Sequence, residues 1–499
     1  MKMYRKTATL GRWFSKFLLS ALSGILTGLA FNFPKFSIII WFSLIPLIYV
    51  LSQDGEKTIV WPAIIFSFFY YGTAIFWITN VTNLGFILLL LYLSVFSVLF
   101  FLLGRYFLNK PYLIVSLPAL WVVLEFLKEN IWCGFSWANL GYSQYQSIKF
   151  IQIADIGGVK AITFLIVVCN VLIWELFFCC RKYSRKKQAV KTVLFALVIL
   201  GCFMYSAYSL HKFGRQDKIK EKFLKFSLIQ PNIPQELKWN INLSGKIVDH
   251  LAELTKTSNV DSLVIFPEAA WPFLITENNR GLLSQFVKNS KRDVLIGAPV
   301  EESGKFYNEA MFINKDGRMV GSYQKIKIVP FGEYIPFRKF LGFISVVNSI
   351  GDMSRGKIVK KFTYDSVNFS VLICFEDIFS NHVAEFSKGN DFLINITNDA
   401  WFDGEPQASQ HFAIMTLRAI ENRIPIIRSS NTGISGWVSA SGKPETMNQN
   451  GKEVFFSGTG NFEIMLDRQK SFYTKYGELF LLICCFFALG IAVLHRNKY

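Results

Sequence analysis

One thiol stands apart from the rest. Cys374 is the only cysteine between Cys202 and Cys484; it follows the apolar run at 368–373 and precedes Phe375, Glu376 and Asp377. A cysteine at the end of a buried strand, with no neighbour to bridge, suits nucleophilic attack on a carbonyl. Two further segments supply what such an attack needs. Val264-Ile-Phe-Pro-Glu268 places a carboxylate just past an apolar strand, and Tyr323-Gln-Lys325-Ile-Lys327-Ile-Val-Pro330-Phe-Gly-Glu333 places a lysine and a second carboxylate around a turn. A thiol with a pKa of about 8.5 is mostly protonated near neutrality and wants a base, which Glu268 could be. Lys325 and a backbone N–H after Cys374 could hold the oxyanion of the tetrahedral intermediate. Glu333 or Glu376 could hold the lysine or orient a substrate amine. Each residue also has a plainer reading: Cys374 as packing, Lys325 as a surface lysine, Glu268 as a helix cap and Glu333 as part of a solvated turn.

The elements that must position these groups fall into three blocks. The 499 residues are 52% hydrophobic, with 50 Phe, and their mean hydropathy is +0.33, too apolar for one water-soluble domain. The apolar residues cluster before about residue 210 and after about 472. Eight runs approach the ~20 residues that cross a bilayer as a helix: 17–31, 36–51, 59–78, 84–103, 112–126, 161–180, 190–210 and 473–494. Lys2, Arg5, Lys6 and Arg12 precede the first run as in a signal peptide, but no small-residue cleavage site follows, and a retained helix is expected. The predicted organisation is a membrane domain of seven helices over 1–211, a catalytic domain over 222–466, and a closing helix with its tail over 472–499. The charged stretch 211–221 leads out of the membrane.

Basic residues in short loops mark the cytoplasmic side. Lys57, then Arg105 and Lys110, then Arg181, Lys182, Arg185, Lys186 and Lys187, and finally Arg496 and Lys498 all fall on one side when the N-terminus is inside. The middle domain is thereby placed outside the cell membrane. The net charge of +18 follows from this bias and from a basic domain facing anionic headgroups. No nucleic-acid motif accompanies it, so nucleic acid is excluded as a partner. Cys133, in the aromatic loop 129–159, is the one outside thiol that could bridge to Cys374. In that loop Trp132, Phe135, Trp137, Tyr142 and Tyr145 read either as headgroup anchors or as a lipid entrance.

Within the middle domain, strand patterns at 226–230, 262–266, 293–298, 310–314, 368–373, 391–396 and 425–429 alternate with helical patterns at 244–255, 281–290 and 408–423. That alternation predicts a layered α/β domain. The fold class is thus a polytopic α-helical membrane protein of about eight transmembrane helices with an inserted extracytoplasmic α/β domain.

Taken together, the three segments resemble the nitrilase, or carbon–nitrogen hydrolase, superfamily, with its Glu–Lys–Cys triad in that chain order. The flanking membrane spans narrow the likeness to the apolipoprotein N-acyltransferase family. Gln230-Pro-Asn-Ile-Pro-Gln235 with Trp239, Pro267-Glu268, Val329-Pro-Phe-Gly-Glu333-Tyr, Ile373-Cys374-Phe-Glu376, Thr397-Asn398-Asp399-Ala-Trp401-Phe402 and Ser430-Asn431-Thr432-Gly433 carry the resemblance over nearly the whole chain. It implies a nitrilase-like layered sandwich with Glu268 as general base, Lys325 as oxyanion-stabilising lysine and Cys374 as nucleophile. Glu333 and Glu376 are implied as active-site supports, and Trp239, Phe375 and Trp401 as substrate contacts. Phe375 stands where many relatives have Tyr, so no role resting on a phenol is assigned. The implied reaction moves a fatty acyl chain from a phospholipid, phosphatidylethanolamine being expected, to Cys374. It then passes to the α-amino group of the S-diacylglyceryl cysteine of a lipoprotein. The implied setting is the periplasmic face of a bacterial inner membrane, with a monomeric enzyme and no cofactor.

Three other readings compete. A membrane-bound amidase or nitrilase would use the same triad and release product to water. A Cys–His hydrolase would use His382 or His411 and dispense with Lys325. A transporter would need intramembrane charge, for which Glu125 and Glu175 are candidates near span ends. A metal site is not expected, since the five histidines form no ligand cluster.

Overall fold

The computed structural model describes residues 2–53, 60–108, 110, 112–132, 134–178, 184–214, 222–335, 338, 352–402, 404–466 and 471–496. Lys57, Cys133, Cys179, Cys180, Arg181, Lys182, Lys498 and the stretch 215–221 lie outside these. By its internal contacts the chain divides into two units, residues 1–214 with 475–499, and residues 215–474.

In the first unit every predicted apolar run falls on a helix, but the helices differ in length. Among the described residues, Trp13–Asn32, Pro34–Gln53, Asn83–Phe107, Ile151–Phe178 and Arg185–Phe213 are the five that are long and apolar enough to cross a membrane, while Val60–Ala74 and Leu479–Ala488 are shorter apolar helices. The helix Leu113–Asn130 carries Pro118 inside it and buries Glu125, Lys128 and Glu129. The first helix begins at Lys2 rather than at residue 17, because lysine and arginine extend a helix at little cost. The predicted exit stretch from residue 211 is still helical as far as Gly214. A side chain at Gly24 would come within 2.6 Å of the Phe66 carbonyl oxygen, so the absent Cβ lets the first helix lie directly against Val60–Ala74.

Several buried charges in this unit are paired or hydrogen-bonded. Lys160 Nζ lies 3.0 Å from Glu129 Oε2 and 2.9 Å from Glu478 Oε1, and Lys191 Nζ lies 2.6 Å from Glu175 Oε2. Glu125 accepts from the Leu140 amide at 2.9 Å and the Thr163 hydroxyl at 2.9 Å. These carboxylates are therefore tied into the packing. They also pull the aromatic loop inward: Asn139 Nδ2 donates to Glu129 Oε1 at 2.6 Å, and Trp137 and Tyr142 are buried. Those two residues are therefore not headgroup anchors, whereas Trp132 remains exposed.

The second unit is a two-sheet sandwich. Its strands are β1 (Lys222–Gln230), β2 (Leu263–Ile265), β3 (Asp293–Glu302), β4 (Lys305–Ile313), β5 (Met319–Gln324), β6 (Phe362–Tyr364), β7 (Val367–Ile373), β8 (Phe392–Thr397), β9 (Ile426–Ser430), β10 (Gly436–Val438), β11 (Pro444–Thr446) and β12 (Gly458–Leu466). One sheet runs β12-β1-β2-β3-β4-β5 and the other β11-β10-β9-β8-β7-β6. The centres of both sheets are parallel, β1-β2-β3 and β7-β8-β9, and the outer pairs are antiparallel.

Strand alternation sorts the side chains into layers. Leu224, Phe226 and Leu228 of β1 join Leu263, Ile265, Leu295, Phe369, Val371, Ile394 and Ile427 in a core shared by the two sheets. The alternate residues Val264, Val294 and Ile296 meet Ile247, Leu251, Leu283 and Val287 from the helices Ser244–Lys256 and Arg280–Ser290. The helices Ser380–Ser387 and Glu405–Asn422 bring Val383, Phe386, Met415 and Ala419 to the other sheet. Each such fully buried aliphatic or aromatic side chain contributes about 1.5–3 kcal/mol. The parallel centres gather the ends of β2, β7 and β8 on one edge, where ligands bind in open α/β sheets.

Removing one member of a buried ion pair leaves an uncompensated charge. Lys160→Met is expected to destabilise the membrane unit by about 3–5 kcal/mol, read as a lower midpoint in thermal unfolding of detergent-solubilised protein, and Glu478→Gln by less.

Candidate active site

Glu268 follows β2 in the segment Phe266-Pro267-Glu268, and β3 backs it closely. A Cβ on Gly297 of β3 would lie 2.7 Å from the Glu268 Cα, so only glycine lets that strand pass beneath the carboxylate. Glu268 is 6% exposed. Its Oε1 accepts from Lys325 Nζ at 3.1 Å and Asn308 Nδ2 at 2.7 Å, and its Oε2 accepts from the Asn398 backbone N–H at 3.0 Å.

Lys325, one residue past β5, is 1% exposed. Its Nζ donates to Glu333 Oε1 at 2.9 Å as well as to Glu268. Glu333 is in turn fixed by the Val329 N–H at 2.7 Å and by Asn308 Nδ2 at 3.1 Å. Burial alone would depress the ammonium, but Glu268 and then Glu333 outweigh it and hold Lys325 well above the usual lysine value. It is a fixed positive charge.

Cys374 follows β7 directly and opens the tight turn Cys374–Ile378. Its φ is +54°, a conformation that costs a non-glycine residue roughly 1–3 kcal/mol and that persists where surrounding structure enforces it. Asn395 Nδ2 donates to the Cys374 carbonyl at 2.9 Å. The thiol is pushed well above its ordinary value, by burial first and by Glu268 next, with Lys325 opposing. At rest it is a neutral S–H within the field of a carboxylate and an ammonium, which is the state that calls for a general base.

Glu376 is fully buried and serves backbone rather than substrate. It accepts from the Ile373 N–H at 2.8 Å, the Ile326 N–H at 2.8 Å, the Lys327 N–H at 2.9 Å and the Tyr323 hydroxyl at 2.9 Å. Burial would raise this carboxyl, but His382 and the Ile373 and Lys327 amides bring it below the usual value. It clamps both flanks of the lysine loop to the turn that Cys374 opens.

Three expected substrate contacts lie near these elements in sequence. Trp239 is 50% exposed after the short helix Gln235–Lys238, and Trp401 is 52% exposed in the turn Asp399–Trp401. Phe375 stacks edge-on against Phe379 with ring centres 5.2 Å apart. The two histidines of the Cys–His alternative are committed elsewhere. His411 Nε2 and Nδ1 face Asp377 at 2.9 Å and Asp399 at 3.2 Å, and His382 Nε2 lies 3.3 Å from Glu376 Oε1. Cys374 is a free thiol. Among the described residues no cluster of three potential metal ligands occurs.

Sequence reasoning missed Asn308, which bonds both Glu268 and Glu333, and Lys238, whose buried Nζ donates to the Glu268 carbonyl at 3.2 Å. Burial lowers Lys238 to about 8, with Glu268 opposing. An asparagine inside a strand and a lysine one residue before a tryptophan were the available signals, and neither is distinctive alone.

Residues 23–172 match the apolipoprotein N-acyltransferase N-terminal domain, and residues 227–459 match the carbon–nitrogen hydrolase family. The chain is 31% identical over 504 residues to the apolipoprotein N-acyltransferase of Geobacter metallireducens, covering 96% of this chain and 95% of that protein. It is 28% identical to that of Haemophilus ducreyi, covering 97% of each, and 27% identical to that of Thermotoga maritima, covering 100% of this chain and 97% of that one. Among solved structures, a carbon–nitrogen hydrolase from Helicobacter pylori G27 aligns over 48% of this chain and 89% of its own, at 15% identity and a TM-score of 0.37.

A raised thiol pKa means that the thiolate fraction still grows with pH at mildly alkaline values. Alkylation of Cys374 by iodoacetamide, followed on its own peptide by mass spectrometry, is expected to rise about tenfold per pH unit from about pH 6 to 9 with no plateau. Lys325→Met removes the opposing positive charge and should slow it about tenfold more. A plateau below about pH 7 would contradict this account of the site.

Proposed function

Because the chain belongs to the apolipoprotein N-acyltransferase family, we propose that it moves a fatty acyl chain from a membrane phospholipid, through a thioester on Cys374, to the α-amino group of a lipoprotein's N-terminal S-diacylglyceryl cysteine. The observation that carries this reading is the ion pair of Lys325 with Glu268 at 3.1 Å, in a loop that Glu376 ties to the turn opened by Cys374.

In the first half-reaction Glu268 takes the thiol proton as the sulfur attacks the ester carbonyl carbon. The oxygen of that carbonyl becomes an oxyanion, which Lys325 and the Phe375 N–H stabilise; losing one such donor typically lowers the rate about 100- to 1000-fold. The C–O bond then breaks, Glu268 returns its proton to the departing glycerol oxygen, and a lysophospholipid leaves. In the second half-reaction the lipoprotein amine attacks the thioester carbonyl and gives a proton to Glu268. The C–S bond breaks and the thiol is restored. Glu333 holds Lys325 through both steps. The half-exposed rings of Trp239 and Trp401 are suited to acyl chains, as is Phe375.

Both substrates are anchored in a bilayer, so tethering the catalytic unit to membrane helices raises their effective concentration. Phosphatidylethanolamine is the donor we favour, and the periplasmic face of the bacterial inner membrane the location, on the strength of the basic loops.

Protein purified from membranes should carry an adduct of fatty-acyl mass on Cys374, removable by hydroxylamine. With labelled phospholipid and a diacylated lipopeptide it should give triacylated product. Cys374→Ala should abolish both signals, and Glu268→Gln should slow transfer about 100- to 10,000-fold. Release of free fatty acid with no triacylated peptide would make it a hydrolase instead.

A further inference from the structure

Behind the reacting groups lies a second set of charges that the steps above do not use. His411, on the helix Glu405–Asn422, is 1% exposed and lies between two carboxylates. Its Nε2 is 2.9 Å from Asp377 Oδ1 and its Nδ1 is 3.2 Å from Asp399 Oδ1. The Arg428 guanidinium also bonds Asp377. Asp399 further accepts from Gln407 Nε2 at 2.9 Å and Ser430 Oγ at 3.1 Å. Arg418, whose charge also reaches Asp377, pairs with Glu421 at 2.8 Å.

Burial would raise both aspartates, but His411 and Arg428 hold Asp377 below the usual range, and His411 leads in bringing Asp399 down to about 2. An ionised carboxylate can only accept a hydrogen bond. A ring with one such group at each nitrogen therefore carries a proton on both, so His411 is an imidazolium. Burial and Arg428 oppose that charge, but the two aspartates prevail and raise the ring above its usual value.

The aspartates belong to different halves of the site. Asp377 lies in the same turn as Cys374, three residues on. Asp399 follows Asn398, whose backbone N–H holds Glu268 Oε2 at 3.0 Å. One path thus leads from the ring to the sulfur and the other to the base. We propose that His411 is a positioning residue for acyl transfer, its imidazolium fastening the turn that carries Cys374 to the turn that holds Glu268. The span over which the thiol proton travels is thereby set from behind. This rests on Cys374 acting as the nucleophile. Misplacing reacting groups by about 1 Å can cost a rate factor of about 100, so a brace at this point matters.

The test compares wild type with His411→Gln, Asp399→Asn and the double variant, in full-length protein. Acyl-thioester formation on Cys374 from phosphatidylethanolamine vesicles is followed in a single turnover, at several donor concentrations. His411→Gln offers donors at one end only and leaves the cluster one positive charge short. We expect its acylation rate to fall about 10- to 100-fold with an unchanged KM for the donor. Asp399→Asn alone should fall about tenfold, and it serves as the test if His411→Gln does not fold. The double variant restores charge balance, so its loss should be no greater than that of His411→Gln, the non-additivity expected of directly coupled groups. Wild-type acylation in His411→Gln, a change in KM alone, or losses that multiply in the double variant would overturn the brace. Should Cys374→Ala still acylate, the reading of the nucleophile falls instead, whatever His411 does.

Discussion

A single ammonium organises this site. Lys325 is buried between Glu268 and Glu333, at 3.1 and 2.9 Å, in a region where an unpaired ion would cost several kcal/mol. The two carboxylates make its burial tolerable, and Asn308 binds both of them so that neither can turn away. The charge is thereby fixed in place before any substrate arrives. In the proposed mechanism this matters, because oxyanion stabilisation depends on preorganisation and a flexible lysine would have to be reoriented at the moment of reaction.

The same constraint governs the thiol. The left-handed backbone at Cys374 needs support from several directions. Asn395 holds its carbonyl, and Glu376, three-tenths of a nanometre or less from four donors, holds the strand behind it to the loop on both sides of Lys325. Glu376 acts through three backbone amides and a tyrosine hydroxyl, with His382 3.3 Å away. The thiol's own environment favours S–H, since burial and Glu268 outweigh Lys325. The arrangement suits proton transfer coupled to attack rather than a standing thiolate.

Much of this was legible in the sequence, for definite reasons. The seven strands read from alternation and apolar runs are the central ones of each sheet, whose buried faces demand such patterns. β12 was not read because two glycines and an asparagine open it, and β10 and β11 are only three residues each. Glu268 and Cys374 were legible because each abruptly ends an apolar stretch, and Lys325 because it sits beside a Pro/Gly turn that carries a second carboxylate. Asn308 was not, since a neutral amide within a strand gives no such contrast. His411 was noticed only as a candidate base for a thiol: a sequence shows that an imidazole exists but not which carboxylates will enclose it. Likewise the aromatics at 132–145 were read from residue type, whereas Glu125 and Glu129 decide which of them turn inward.

The pairing of β1 with β12 joins Lys222 to Leu466 and Gln230 to Gly458, the first strand of the catalytic unit to its last. During synthesis, then, one margin of the first sheet waits uncovered until almost the whole polypeptide has left the ribosome. An exposed strand margin invites pairing with other chains. A nascent copy of this protein therefore depends on a companion, or on brisk completion, through most of its birth, and a prematurely stopped one would be an aggregation hazard as well as an inactive enzyme.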